Sequence, residues 1–227
     1  MSMPVMMFAA GFGTRMKPLT DTLPKPMIPV SGRPLADYAL DMARAAEPPV
    51  IVANLHYLPD LLREHLNARG VKTITEAPEI LDTGGGLRNA LPLLGSDPVI
   101  TLNSDAIWSG PNPLKELLQA WDGARMDGLL MCVPRHNALG SGSRGDFVAD
   151  ETGRLSRGPG DIYTGAQIIR TDLLETIPET CFSLNRVWDL MMARKRLFGL
   201  QYQGQWCDVG HPDGILIAED LLERSGV

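Results

Sequence analysis

Hydrophobic positions along the chain alternate between short apolar runs and segments with helical spacing. Residues 4–10 are apolar throughout, which is typical of a strand buried on both faces. Residues 35–46 carry apolar side chains three and four positions apart, which predicts an amphipathic helix. The same patterns predict strands at residues 50–53, 72–75, 98–103, 129–133, 162–169 and 198–202, and helices at residues 59–69, 85–93, 114–121, 184–196 and 213–224.

Strands and helices therefore alternate through the first 133 residues. This order predicts an α/β fold of the Rossmann-like kind, with a mostly parallel sheet flanked by helices. From residue 134 to residue 160 the pattern changes to Gly, Arg and Ser with short alternating pieces, such as residues 146–149, that are typical of hairpins. We expect one compact domain, with ligands bound at the carboxyl ends of its strands.

Composition narrows the function classes. The 227 residues carry a net charge of −6 without a long basic block, which argues against nucleic-acid partners. No run approaches the ~18 apolar residues of a membrane span. Three widely separated cysteines, Cys132, Cys181 and Cys207, predict buried free thiols in a reducing cytoplasm rather than a disulfide or zinc framework.

The loop after the first strand carries the first candidate chemistry. Gly11 and Gly13 allow main-chain N–H groups to surround phosphate oxygens, and Arg15 adds a planar cation. Lys25 stands between two prolines, which predicts a fixed charge in an extended segment. Met16 occupies the third glycine position of the dinucleotide-binding fingerprint, and the chain contains no P-loop motif.

The whole string Ala-Ala-Gly-x-Gly-Thr-Arg-Met-x-Pro-Leu-Thr, followed by Pro-Lys-Pro-Met, resembles the signature of the sugar-1-phosphate nucleotidylyltransferases. The resemblance implies the nucleotidyltransferase fold, in which residues 1–133 bind the nucleotide and residues 134–227 form the sugar-binding part and a C-terminal helix. It implies Arg15 and Lys25 as catalytic residues that act on NTP phosphates. The implied nucleotide-binding residues are Ala10, Gly11, Gly13, Thr14, Glu79, Asp82, Thr83 and Gly84.

Two further segments extend the resemblance. Asn103-Ser104-Asp105 and Trp206-Cys207-Asp208-Val209-Gly210 resemble the family's metal-binding steps, which implies that Asp105 and Asp208 hold Mg²⁺. The glycines at 84–86 are expected to expose N–H donors to a flat base. For His211 we expect a neutral role at a helix start, with a phosphate contact as the alternative.

The sugar is expected to contact Asn103, Asp146, Thr164 and Gly165, again by resemblance. Larger members carry a second lysine for the sugar phosphate, but no lysine lies between residues 115 and 195 here. Arg154 or Arg157 could replace it, or the contact could be absent. An acidic sugar would need a cation, for which Arg144, Arg154 and Arg157 remain open.

Short bacterial members of the family imply UTP and N-acetylmuramate 1-phosphate as substrates, in the recycling of cell-wall sugars by a monomer or weak homodimer. The base prediction depends on main-chain groups around residues 79–84, which could pair with the imide edge of uracil. Two alternatives stay open. One is guanylyl transfer to mannose 1-phosphate or transfer to another hexose phosphate, and the other is a non-catalytic regulator that binds nucleotide or sugar phosphate.

Overall fold

The computed structural model describes residues 2–95 and 97–226. The strands in this part of the chain are β1 Val5–Phe8, β2 Pro29–Val30, β3 Arg33–Pro34, β4 Ile51–Leu55, β5 Lys72–Thr75, β6 Val99–Asn103, β7 Ala106–Ser109, β8 Gly128–Val133, β9 Ala138–Leu139, β10 Phe147–Ala149, β11 Leu155–Arg157, β12 Ile162–Ile169, β13 Leu197–Gln201 and β14 Gln205–Asp208. The α-helices are α1 Leu35–Ala45, α2 Pro59–Asn67, α3 Asp82–Leu94, α4 Pro113–Ala120, α5 Leu184–Ala193 and α6 Asp213–Ser225.

A seven-stranded sheet forms the centre, in the order β13-β8-β12-β6-β1-β4-β5. Only β12 runs antiparallel to its neighbours β6 and β8, whereas the other pairings in this sheet are parallel. The predicted mostly parallel sheet is therefore confirmed. Because β12 and β13 come from the second half of the chain, both halves build one sheet and one compact domain.

Helices cover both faces of this sheet, as the alternating side chains of β1 require. Val5 and Met7 belong to a core that includes apolar residues of α1, α2 and α4. Met6 points to the other face, into a core with residues of α3 and α5. The central strands are thus buried on both sides, which explains their continuous apolar sequence.

A second, three-stranded sheet was not predicted. It has the order β7-β14-β9, with β14 antiparallel to β7 and parallel to β9. Helix α6 packs against it through Ala218, Leu221 and Leu222, together with Met16 of the first loop. This small sheet attaches the C-terminal part of the chain to the segment that follows β6.

The remaining corrections concern element ends and the cysteines. Helix α3 begins at Asp82 rather than at residue 85, and α5 ends at Ala193 rather than at residue 196. The loop predicted for residues 11–34 contains three 3₁₀ turns and the β2–β3 pair. Cys132 and Cys207 are buried as predicted, but Cys181 is exposed. None of the helices in residues 2–95 and 97–226 is long and apolar enough to cross a membrane.

Candidate active site

Three cavities form a row through shared lining residues, and the central one lies at the carboxyl ends of β1, β4 and β6. The central cavity of ≈ 250 Å³ is lined by Phe8, Ala10, Gly11, Asn54, Glu76, Ile80, Asp82, Thr83, Asn103 and Asp105. The loop cavity of ≈ 210 Å³ is lined by Gly11, Gly13, Thr14, Arg15, Lys25, Asp105 and Gly210. The distal cavity of ≈ 440 Å³ is lined by Asp82, Thr83, Gly145, Asp146, Phe147, Arg157, Tyr163, Ser183, Asn185 and Trp188.

The cavities are joined by shared lining residues. Gly11 and Asp105 border both the loop cavity and the central cavity. Asp82 and Thr83 border both the central cavity and the distal cavity. A ligand with three parts could therefore occupy the row from end to end.

Gly13 determines the shape of the first loop. Its φ is +62°, and a Cβ at this position would lie 2.8 Å from Thr20 Cγ2 and 3.0 Å from Lys25 Cβ. Its carbonyl oxygen accepts hydrogen bonds from Met16 N and Thr20 Oγ1, both at 2.9 Å. A side chain at residue 13 would displace Thr20 and Lys25, so this glycine fixes where the lysine stands.

The same loop offers main-chain donors. Within residues 2–95 and 97–226, the N–H groups of Gly11, Phe12 and Gly13 donate to no protein acceptor. Such unpaired donors beside a cavity are suited to anionic oxygens. The predicted phosphate cradle therefore has its donors available at the loop cavity.

Lys25 is nearly buried, with 9% of its surface exposed. Its Nζ donates to Asp105 Oδ2 at 2.6 Å. The predicted extended conformation is wrong, because Lys25 begins a 3₁₀ turn in which Met27 N donates to Pro24 O and Ile28 N donates to Lys25 O. These hydrogen bonds still hold the main chain of Lys25 in one place, as the prediction required.

Arg15 lies on the exposed rim of the loop cavity. Its Nη1 is 3.4 Å from His211 Nε2, which joins the first loop to the segment after β14. The proximity places His211 beside a residue expected to contact phosphate. At the same time His211 O accepts from Gly214 N at 2.9 Å at the entry to α6, as the expected role at the helix start requires, so both predicted roles of His211 stay open.

The small sheet brings Asp105 and Asp208 together. Asp208 pairs with Ala106 across β14 and β7, and Val209 N donates to Asp105 O at 3.0 Å. Burial raises the pKa of the Asp208 carboxyl, and the Asp105 carboxylate raises it further, against the opposing effect of Lys25. A Cβ at Gly210 would lie 2.8 Å from Asp208 Oδ2, so the glycine leaves open space beside that carboxylate.

The wall of the central cavity contains a buried polar network that sequence reasoning missed. Asn54 Nδ2 donates to Glu76 Oε1 at 2.6 Å, and Ala9 N donates to Asn54 Oδ1 at 2.9 Å. Glu76 Oε2 accepts from Leu81 N at 2.7 Å. The network ties β1 and β4 to the start of α3. An asparagine within the apolar run of β4 was the available signal, but the predicted strand ended one residue before it.

The glycines of α3 allow close packing and do not expose N–H donors to a ligand. The role that was predicted for them is therefore wrong. The N–H groups of Gly84 and Gly85 both donate to Phe182 O. A Cβ at Gly84 would lie 2.4 Å from the Phe182 ring, and one at Gly85 would lie 2.3 Å from Thr180 O. The close approach of residues 180–182 to α3 therefore requires these glycines.

The other predicted nucleotide-binding residues divide into two groups. Ala10, Asp82 and Thr83 line the central cavity, and Thr14 lines the loop cavity. Glu79 is exposed and is absent from the lining of all three cavities among the described residues. Glu79 therefore does not lie in the cavity wall where a contact with the base was predicted.

The four predicted sugar-binding residues also differ in position. Asn103 lines the central cavity, and Asp146 lines the distal cavity. Gly165 has φ +86°, and a Cβ there would lie 2.6 Å from the Asn103 amide, so this glycine makes room for Asn103. Thr164 is buried, and its Oγ1 donates to Met131 O at 2.7 Å. Thr164 therefore does not line a cavity in which the predicted contact with the sugar could form.

Comparisons with known proteins identify relatives along the whole chain. N-acetylmuramate alpha-1-phosphate uridylyltransferase of Caulobacter vibrioides is 36% identical over 97% of this chain and 97% of its own. The enzyme of the same name from Neisseria meningitidis is 33% identical over 92% of this chain and 93% of its own. Mannose-1-phosphate guanyltransferases are more distant, at 26–28% identity.

Solved structures share the fold of this chain. The crystal structure of a UDP-glucose pyrophosphorylase complexed with UDP-glucose superimposes with a TM-score of 0.78 at 18% identity, and the match covers 99% of each chain. Residues 5–188 match the family described as the MobA-like NTP transferase domain. The match spans six of the seven strands of the central sheet, the first loop and every lining residue of the distal cavity, and the chain belongs to the MobA-like NTP transferase family.

Proposed function

We propose that this chain transfers the uridylyl group of UTP to N-acetylmuramate 1-phosphate and releases pyrophosphate. The observation that carries the proposal is the row of cavities that begins at the Lys25–Asp105 pair. Such a row suits two phosphorylated substrates that must meet end to end. The choice of UTP and of this sugar follows the two uridylyltransferases, which align with this chain over nearly their full lengths.

The reaction is a displacement at phosphorus. An oxygen of the sugar phosphate attacks the α-phosphorus of UTP, and the bond from that phosphorus to the bridging oxygen of the β-phosphate breaks. The products are a nucleoside diphosphate sugar and pyrophosphate. Because two anions must approach each other, the task of the protein is positioning and charge neutralisation rather than covalent catalysis.

Each charged residue of the loop cavity has a part in this scheme. The free N–H groups of Gly11 and Gly13 bind phosphate oxygens of UTP. Arg15, on the exposed rim beside His211, binds the outer phosphates and the departing pyrophosphate. Lys25 is held against Asp105, so its ammonium meets the α-phosphate where the attacking oxygen arrives.

The donor set of Asp105 and Asp208 fits Mg²⁺. Two carboxylates stand close enough for Asp105 to raise the pKa of Asp208, and a cation between them would relieve that repulsion. Gly210 leaves space at the Asp208 oxygens. No cluster of three or more potential ligand side chains occurs in residues 2–95 and 97–226, so phosphate oxygens and water would complete the coordination. When bound, Mg²⁺ supplies charge neutralisation at the α-phosphate.

A substrate panel tests the proposal. Pyrophosphate release is measured with UTP, GTP, CTP and dTTP against the 1-phosphates of N-acetylmuramate, N-acetylglucosamine, glucose and mannose, with Mg²⁺ or with EDTA. We expect the highest kcat/KM for UTP with N-acetylmuramate 1-phosphate and no turnover in EDTA. A preference for GTP with mannose 1-phosphate would contradict the substrate assignment. Full activity in EDTA would contradict the proposed requirement for Mg²⁺.

A further inference from the structure

The distal cavity contains one cationic side chain among its lining residues, Arg157. The other two arginines left open by the sequence lie elsewhere. Arg154 Nε donates to Lys195 O at 3.3 Å, and its guanidinium lies over the Phe198 ring. Arg144 is exposed and does not line the cavity. The structure thus selects one of the three candidate cations.

Arg157 is held in place by aromatic rings. Its guanidinium carbon lies 4.8 Å from the centre of the Phe147 ring and 5.7 Å from that of Trp188. Trp188 is fixed in turn, because its indole N–H donates to Gln167 Oε1 at 2.9 Å. A guanidinium held on ring faces in this way presents its edge to an anion with little loss of side-chain freedom.

The guanidinium keeps donors for a ligand. Nε and Nη2 donate to Asp189 Oδ1 at 3.3 and 3.0 Å, and Nη2 also reaches Asn185 O at 3.4 Å. No acceptor for Nη1 occurs among residues 2–95 and 97–226. The pair with Asp189 is exposed on both sides, so it is weak and open to exchange.

The carboxylates that line the same cavity are already engaged. Asp146 accepts hydrogen bonds from Tyr163 N and Ser143 Oγ, at 2.9 and 3.2 Å. Asp82 accepts from the main-chain N–H and the hydroxyl of Thr83. These local bonds come from neutral donors and leave both carboxylates charged, so Arg157, which has an unpaired donor within the described residues, is the lining side chain that can attract an anion. An acidic ligand therefore has one partner of opposite charge in this cavity.

The position of Arg157 separates it from the reacting atoms. The distal cavity meets the central cavity at Asp82 and Thr83, and neither Lys25 nor Asp105 lines it. A sugar phosphate whose phosphate lies at Lys25 would extend its ring away from that lysine. A sugar ring that extends from a phosphate at Lys25 into the distal cavity would therefore meet Arg157 on the side remote from that phosphate.

We propose that Arg157 binds an anionic substituent of the sugar, namely a carboxylate carried on the ring away from the 1-phosphate. The inference rests on the proposed function and assigns the recognition of the acidic sugar to one side chain. A planar guanidinium can donate two parallel hydrogen bonds to a carboxylate, and a lysine ammonium cannot match that geometry.

The test compares an acidic sugar with its neutral counterpart. Arg157→Gln is assayed with UTP and either N-acetylmuramate 1-phosphate or N-acetylglucosamine 1-phosphate, which lacks the carboxylate. We expect kcat/KM to fall about 10- to 100-fold for the acidic sugar and less than about threefold for the neutral one. Arg157→Lys should recover only part of the loss. The matched control Arg154→Gln, on the same hairpin, should change neither value.

Four outcomes would overturn the inference. Equal losses with both sugars would mean that Arg157 serves the phosphate or the fold, and an unchanged rate with the acidic sugar would mean that it serves neither substrate. Asp189→Asn gives an independent measurement, because removing the competing carboxylate should lower KM for the acidic sugar only, and a higher KM would contradict the proposal. A wild-type chain that ignores the acidic sugar but turns over others would defeat both the inference and the substrate assignment.

Discussion

The loop cavity and the distal cavity are built in different ways. At the loop cavity Lys25 is buried and donates to Asp105, and the packing leaves no room for a Cβ at Gly13 beside Lys25 or at Gly210 beside Asp208. At the distal cavity the cation is held by ring faces and by an exposed ion pair. The tight region suits chemistry that tolerates little displacement. The looser region suits a choice among substrates that share the same phosphate chemistry.

The two cavities predict different effects of substitutions on the kinetics. Substitutions at the loop cavity should slow turnover of every sugar phosphate by the same factor, because they act on the phosphates. Substitutions at the distal cavity should change the ratio between sugars.

Asp105→Asn should have the largest effect. The amide keeps the shape of the side chain but removes the charge that pairs with Lys25 Nζ. We expect turnover to fall by about 10²-fold or more, equally with acidic and neutral sugar phosphates. Steady-state pyrophosphate release checks this, with Asp60→Asn on the exposed face of α2 as the control. Near-normal turnover would remove Asp105 from the mechanism.

Lys25→Arg should lower turnover by about 10²-fold. The site is nearly closed around the ammonium, and a planar fork cannot replace a compact charge there. The control is Lys17→Arg in the same loop, where the side chain is exposed beside Asp21 and no change is expected. If Lys25→Arg and Lys25→Ala both turn over like the wild type, the lysine has no part in the chemistry.

Gly84→Ala should destabilise the fold by about 1–3 kcal/mol. The added methyl would meet the Phe182 ring and Phe182 O at the start of α3. Thermal or urea unfolding measures the change. Gly142→Ala is the matched control, because nothing lies within 4 Å of its Cβ. Unchanged stability with lost nucleotide binding would instead restore the role first predicted for these glycines.

Asp208→Asn should stabilise the fold while turnover falls. Burial and the nearby Asp105 raise the pKa of this carboxyl, which means that the charged form is held at a cost in the folded protein. Removal of an unfavourable charge commonly raises the free energy of unfolding by about 0.5–2 kcal/mol. Thermal unfolding near pH 8 in EDTA measures the gain, and a lower Tm than the wild type would count against the repulsion between the two carboxylates.

Much of the fold could be predicted from the sequence because local patterns of apolar and polar residues mark its long strands and helices. Long apolar strands such as β6, β8 and β12 depend on burial that the sequence displays directly. The small sheet was missed because β7 and β14 are four residues each and mix polar with apolar positions. Their pairing joins residues about a hundred positions apart, and no local pattern records it.

The site was predictable to a similar degree. Arg15, Lys25, Asp105 and Gly210 do line one cavity, and they were identified because each belongs to a motif that the sequence displays. The glycines of α3 were misinterpreted because a packing glycine and a ligand-binding glycine have the same sequence signature. The choice of Arg157 among three arginines required the ring contacts and the cavity, which are tertiary properties.

The most direct test of the central claim follows both products in one reaction. Phosphorus-31 NMR of the wild-type chain with UTP and N-acetylmuramate 1-phosphate resolves the nucleotide, sugar and pyrophosphate signals together. The account predicts that UTP and sugar phosphate are consumed in equal amounts and that a nucleoside diphosphate sugar and pyrophosphate appear in the same amounts. Formation of UMP and pyrophosphate with the sugar phosphate untouched, or no consumption of UTP at all, would contradict it.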